Sequence, residues 1–259
     1  MERIELDLLD LGLSVGLIAV AIALSIWQQL GLQGQLALAA ARTVVQLLVV
    51  GTFLEAVFEW KNPWAILAVL AVMLTIASIV AKNRIGNKLP NVLPMVWGSI
   101  CFSSALTMTY VNLVVLREPQ VWSDPHYIIP LTGIVLGNAT NAAAIAGERL
   151  ATTLNNTQIE IETHLSLGAT PQQAIASYRR EAIRAGLIPT LNAMMVVGIV
   201  TLPGIITGQL LSGVKPLNAA AYQILIMFML ACVNLLTALL VTRGIAGKFF
   251  NAEAQLQQF

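Results

Sequence analysis

Apolar residues fill long blocks of this chain, and shorter polar passages separate them. Crossing a bilayer core takes roughly 20 residues of helix. Seven blocks qualify, at about 8–27, 36–58, 64–81, 92–115, 128–147, 189–211 and 218–242. The pattern predicts an all-α integral membrane protein of about seven transmembrane helices, forming a single domain over 1–259. The third block is the shortest, and the sixth carries Pro203 and Gly204 in its interior.

The longest polar passage, 148–188, bears charges that hydrocarbon cannot solvate, so it is expected outside the bilayer core. It reads as helical from Glu148 to about Leu167, with a weak point at Asn155 and Asn156. Gly168 supplies a helix stop. Thr170 then caps a second helix with Pro171 at its first position, and that helix runs past Glu181 toward Pro189. Helix, tight turn, helix at a membrane surface is a shape on which a soluble partner can dock.

Composition agrees. Mean hydropathy is +0.78, and 10% of residues are charged, against roughly 25% in a soluble domain. The net charge of +1 gives no reason to expect nucleic acid. Cys101 and Cys232 both fall in apolar runs and read as small buried hydrophobes. The acidic start and long first apolar run predict a first span and not a cleaved signal peptide. Basic residues set orientation. With the amino terminus outside, Lys82, Arg84, Lys88, Arg149, Arg179, Arg180, Arg184, Arg243 and Lys248 lie inside, against Arg3, Lys61, Arg117 and Lys215 outside. The carboxyl terminus and the 148–188 segment are then cytoplasmic.

Polar residues within the spans are candidates for a path. Asn138 and Asn141 are three apart on span five, and Glu148 continues their stripe among Ala139, Ala142, Ala143, Ala144, Ala146 and Gly147. Two roles fit: amides bonding across closely packed helices, or a substrate path or gate. Arg42, beside Gln46 on span two, either snorkels to the inner surface or forms a structural ion pair with Glu148. Glu55 and Glu59 stand one turn apart near the outer end of that span. In span six, Pro203 removes a backbone donor and Gly204 loosens the chain, while Thr201, Thr207 and Gln209 offer polar groups nearby. Transporters use broken helices of this kind for binding and gating. His126 and His164 fall on opposite sides of the membrane, and Met194, Met195, Met227 and Met229 read as packing residues, so metal ligands are not identified.

The passage from Glu162 to Pro171, ETHLSLGATP, resembles the coupling segment of ABC transporter permeases: a glutamate six residues before a glycine, then Ala-Thr-Pro in place of the common Ala-Ser-Pro. Glu-Thr-His replaces the usual Glu-Ala-Ala, and Tyr178 stands where the importer pattern expects isoleucine. Over nearly its whole length the chain resembles the Fet-type ABC permease family, which includes a bacterial iron-export permease and plant permeases linked to aluminium tolerance. The runs Leu136–Asn141 (LGNATN), Leu165–Pro171 (LSLGATP), Thr201–Leu210 (TLPGIITGQL) and Tyr222–Met229 (YQILIMFM) carry that resemblance. It implies a permease, without enzymatic activity of its own, in the bacterial cytoplasmic membrane. It implies pairing with a second copy of itself and with two copies of a separate ATPase that binds ATP and Mg. Glu162, Leu165, Leu167, Gly168, Ala169, Thr170 and Pro171 would contact that ATPase. In the bacterial relatives it implies export of iron from the cytoplasm.

The residues agree on the energy supply, because no Gly-x-x-x-x-Gly-Lys-Ser/Thr loop occurs in the chain. A nucleotide sugar or other small polar solute is the alternative cargo. A secondary transporter would need a carboxylate or histidine near the midplane, and spans three, four and seven have none. An intramembrane enzyme would need paired catalytic groups at one depth, whereas Asp7, Asp10 and Asp124 all lie at or beyond the outer surface.

Overall fold

The computed structural model describes residues 8–60, 62–86, 89, 91–117, 124–251 and 255–257. Of the residues singled out above, Asp7, Arg3, Lys61 and Lys88 lie outside that set, as does the side chain of Glu59. The described residues are helical, with two isolated β-bridges and no sheet. They divide into two compact units, one made of the first two helices and the other of everything after them.

In the first unit, α1 (Leu8–Trp27) and α2 (Gln33–Trp60) are joined by a turn in which Ser25 Oγ accepts from the Leu32 amide at 3.3 Å. Arg42 stands on α2. In the second unit, α3 (Pro63–Ile85) begins at Asn62, whose side chain accepts from the Trp64 amide, with Pro63 in the first turn. Next come α4 (Val92–Tyr110), which widens into a π-helical turn at Val111–Leu116, and α5 (Pro125–Asn156). Asp124 caps α5 at the His126 amide, and Pro125 opens the helix. A hairpin follows, of α6 (Gln158–Ser166) and α7 (Pro171–Ala174), then α8 (Ala176–Val196), α9 (Gly204–Leu211) and α10 (Pro216–Lys248).

Among the described residues, five helices are long and apolar enough to cross a membrane: Gln33–Glu55, Pro63–Ile85, Val92–Leu116, Pro125–Asn156 and Pro216–Lys248. The run Gly12–Trp27 is a shorter apolar helix. The expected sixth span, 189–211, is two helices. It breaks at Val197, six residues before the proline that sequence reading holds responsible. The Val196 carbonyl accepts from the Ile199, Val200 and Thr201 amides at 3.3, 2.9 and 3.2 Å, and Gly198 turns the chain at φ +82°. Pro203 then serves as the cap residue of α9, its own backbone extended at φ −60° and ψ 152°.

The second unit is built around α5. Ala139, Ala143, Ala144, Ala146 and Leu150 are wholly buried there. A Cβ added to Gly186 of α8 would sit 3.0 Å from Ala146 Cβ and 3.1 Å from the Ala142 carbonyl oxygen. One added to Gly147 would meet Ile85 Cγ1 at 2.6 Å and Ile245 Cδ1 at 3.1 Å. Small residues thus let α3, α8 and α10 approach α5 closely, as packing without a solvent-driven hydrophobic effect requires. Gly133 beside Met73, with Gly147 beside Ile85, makes α3 parallel to α5. Across the unit, Ser103 shares a 2.6 Å hydroxyl contact with Thr237, and Met95 abuts Gly244, so α4 runs antiparallel to α10.

These pairings bring the carboxyl ends of α3, α5 and α10 together. Lys82, Arg84, Arg149, Arg243 and Lys248 therefore gather at one end of the bundle. At about 1.5 Å per residue α5 is roughly 48 Å long and exceeds the roughly 30 Å hydrocarbon core. It projects from that basic end toward the hairpin.

The contact between Gly186 and α5 generates a stability prediction. Gly186→Leu is expected to force α8 away from α5 and destabilise the protein by about 1–3 kcal/mol, as overpacked cores do. Gly98→Ala, a helical glycine with open space around its Cβ position, is expected to be neutral or slightly stabilising. Thermal unfolding in detergent compares the two, and equal effects would contradict the packing described.

Candidate functional site: a polar cavity and a capped hairpin

Two places assemble the polar residues of this chain, both within the second unit. The first is the hairpin at the basic end. Helix α5 stops at Asn156, where the Asn155–Asn156 weakness was expected, and α6 begins after Thr157. At the end of α6 the Gly168 amide donates to the Leu165 carbonyl at 3.0 Å, and the Ala169 amide to the His164 carbonyl at 3.0 Å. Together with φ +89° at Gly168 this is a Schellman stop, which glycine adopts without the steric cost of a Cβ. Thr170 Oγ1 then accepts from the Gln173 amide at 3.3 Å, while Gln173 Oε1 accepts from the Thr170 amide at 2.9 Å. Sequence reading anticipates the threonine cap and Pro171. It passes over Gln173, which the Thr-x-x-Gln spacing of a capping box could have supplied.

Of the residues expected on a partner's surface, Glu162, Leu167, Gly168 and Thr170 are exposed, and Leu165, Ala169 and Pro171 are half-buried. Leu167, 81% exposed, is bare on this rigid turn, and Ile159, 84% exposed, is bare at the other end of α6. Leu154 of α5 and Ile161 of α6 are fully buried. The Tyr178 hydroxyl on α8 is held above its ordinary pKa, first by desolvation and then by the Glu160 carboxylate of α6. Beside α7 lies a groove of about 670 Å³ whose lining includes Pro171, Gln172, Arg179, Arg180 and Arg243. Arg179 ties this region to α10, donating from Nε to Thr242 Oγ1 and from a terminal nitrogen to the Leu239 carbonyl, both at 3.3 Å.

The second place is a cavity of about 380 Å³ among α5, α8, the 201–203 turn and α10. It collects Asn138, Asn141, Thr201 and Pro203, four residues assigned to a path from sequence alone, and adds Thr190 and Asn234. Asn234 is 2% exposed. Its Nδ2 donates to Thr190 Oγ1 at 2.6 Å, and its Oδ1 is buried without a hydrogen-bond partner among the described residues. Asn138 Nδ2 donates to the Ile134 carbonyl at 2.9 Å. A second cavity of about 310 Å³ shares the wall formed by Pro203 and Met227 and is lined also by Met194 and Gln223.

The remaining path candidates are elsewhere. Glu148 is exposed on α5, beyond the cavity. Gly204, Thr207 and Gln209 lie on α9, where Thr207 Oγ1 turns back to the Pro203 carbonyl at 3.2 Å and Gln209 Oε1 is buried without a partner among the described residues. Arg42 belongs to the first unit and Glu148 to the second. Among the described residues no three His, Cys, Asp or Glu side chains converge as metal ligands. His126 pairs with Asp124 at 2.9 Å at the start of α5, whereas His164 sits on the hairpin beyond that helix's other end. Met194 and Met227 line cavities, and Met229 is buried in the core.

The model of an uncharacterised protein family, UPF0014, matches residues 8–250. A UPF0014 membrane protein of Synechocystis is 54% identical over 253 residues, covering 98% of this chain and 97% of the relative. "Probable iron export permease protein FetB" of Escherichia coli is 30% identical over 95% of this chain and 93% of its own length. "Protein ALUMINUM SENSITIVE 3" of Arabidopsis thaliana is 32% identical over 93% and 86%. No solved structure matches.

The Asn234–Thr190 bond makes an asymmetric prediction. Thr190→Val strands both halves of a buried amide and is expected to cost about 1–2 kcal/mol of stability. Asn234→Leu removes the stranded oxygen together with its donor and is expected to cost less, or to stabilise. Unfolding in mixed micelles decides between them; a larger loss for Asn234→Leu would contradict the unpaired oxygen.

Proposed function

The chain belongs to the UPF0014 family of membrane proteins, and from that premise we propose that it is the permease subunit of an ATP-driven exporter. The exposed turn Leu165–Pro171 carries this reading. It is stopped by a Schellman motif and restarted by a capping box, so it enters a partner's cleft without losing conformational freedom on binding. Leu167 and Ile159 are apolar anchors, and the neighbouring Arg180 and Arg243 complement an acidic rim on the partner. ATP and Mg are held by that partner, a separate ATPase present in two copies, and the permease pairs with a second copy of itself.

Excess lysine and arginine mark the cytoplasmic side of a membrane protein. The basic end of the bundle therefore faces the cytoplasm, and the hairpin lies where the ATPase is found. Seven crossings, with the amino terminus outside and α8 with α9 making one interrupted passage, accommodate this orientation. The membrane is the bacterial cytoplasmic membrane. Iron is the proposed cargo, as the name of the Escherichia coli relative suggests. The solute passes the cavity between Asn138 and Asn234, and the interruption from Val197 to Pro203 is its gate. The cavity lining contains no carboxylate or histidine, which argues against an ion-coupled secondary transporter.

Co-purification with an ABC ATPase encoded in the same genome tests the docking. Leu167→Asp and Glu162→Arg, both at exposed positions, are each expected to weaken the association at least about tenfold, or about 1.4 kcal/mol, while thermal unfolding of the permease alone changes little. Association undiminished by both substitutions would remove the hairpin from the interface.

A further inference from the structure

We propose that the groove beside α7, at the basic end of the bundle, holds the phosphate of an anionic phospholipid between α8 and α10. Such a site needs no ATPase, only that this end of the second unit meets a membrane surface. Arg179, Arg180 and Arg243 line the groove, and no aspartate or glutamate does. Arg179 is already fixed in place, its Nε donating to Thr242 Oγ1 and a terminal nitrogen to the Leu239 carbonyl, both at 3.3 Å. A guanidinium carries five N–H donors, so Arg179, with two of them used, keeps three on a half-buried, immobilised fork. Arg180 spends only its Nε, on the Ala176 carbonyl at 3.2 Å, and both it and Arg243 are exposed. Neither makes an ion pair among the described residues.

Like charges gathered without a counter-charge repel one another. A phosphate removes that repulsion and accepts paired N–H bonds from a planar fork. Helix ends do not alter the balance. The amino end of α8, whose cap residue Ile175 gives no side-chain bond, shares the groove with the last turn of α10. Their partial charges, about +0.5 and −0.5, cancel, and three full positive charges are left to decide. Depth favours a lipid over a soluble anion. Leu239 and Thr242 stand well along α10, which spans Pro216–Lys248, at roughly 35–39 Å from its start. With a hydrocarbon core of roughly 30 Å inside a bilayer of about 40–45 Å, both fall at the headgroup layer. Basic pockets between transmembrane helices take anionic headgroups at that level. Ile183 and Phe250, half-buried in the same wall, offer apolar surface to the glycerol and the upper part of its chains. Arg180 and Arg243 keep further donors for a partner's rim.

Native mass spectrometry of the full chain, with lipids titrated into the detergent, tests the site. Phosphatidylglycerol is expected to bind at least about tenfold more tightly than phosphatidylcholine, whose choline cancels the phosphate charge. The double variant Arg180→Gln, Arg243→Gln breaks no bond between helices and is expected to abolish that preference with thermal unfolding unchanged. A second pair, Arg84→Gln with Arg149→Gln, lies at the same basic end outside the groove and is expected to leave the preference intact. Millimolar inorganic phosphate is expected not to displace the lipid, since it lacks the chains that meet Ile183 and Phe250. Equal affinity for the two lipids, a preference that survives Arg180→Gln with Arg243→Gln, or equal loss in the two double variants would each overturn the proposal in favour of general surface charge. Complete displacement by inorganic phosphate would overturn it in favour of a soluble anion. No ATPase enters the measurement, so its failure leaves the permease reading untouched.

Discussion

Helices in lipid gain little by burying leucine against leucine, because the tails they displace are equally apolar; they must gain from close contact and from polar groups that find one another. In the second unit α5 meets that constraint with alanine and glycine. Ala142, Ala146 and Gly147 bring α3, α8 and α10 to within a methyl group of its backbone. The parallel and antiparallel pairings follow from that approach. So does the gathering of Arg84, Arg149 and Arg243 at one end. The cavity follows as well, since it forms where α8 leaves α5 beyond Gly186 and the chain turns away at Val197.

The same constraint governs the polar residues left inside. Thr140 and Thr242 return their hydroxyls to carbonyls one turn back, and Ser103 meets Thr237 across two helices. These groups are satisfied and hold the bundle together. Asn234 and Gln223 are different: each has an amide oxygen buried and unpaired among the described residues, and each belongs to the wall of one of two adjoining cavities. The two cavities share the wall of Pro203 and Met227, at the interruption between α8 and α9. Helices in lipid break only where protein or a cavity covers the freed backbone, and here the Val196 carbonyl collects the amides of the turn.

What was legible in the chain divides by distance along it. Gly168, Thr170 and Pro171 act on neighbours within four residues, so their stop-and-restart reads directly, as does the weakness at Asn155 and Asn156. The apolar blocks that became α3, α4, α5 and α10 read from length alone. The interruption in 189–211 was visible and its position was not: proline draws the eye, whereas the turn is made by Gly198 and the Val196 carbonyl. Asn138, Asn141, Thr201 and Pro203 were brought together from two stretches some sixty residues apart, which polarity inside apolar spans foreshadowed. Asn234 went unremarked because a lone amide in an apolar run has no periodicity. Its partner Thr190 lies 44 residues away, and only packing joins them.

Transport into inside-out vesicles tests the account most directly. Vesicles containing this chain and its ATPase are predicted to accumulate Fe(II) only when ATP is supplied, and to stop when either protein is omitted. Fe(II) uptake driven by a proton gradient with no ATPase present would contradict it.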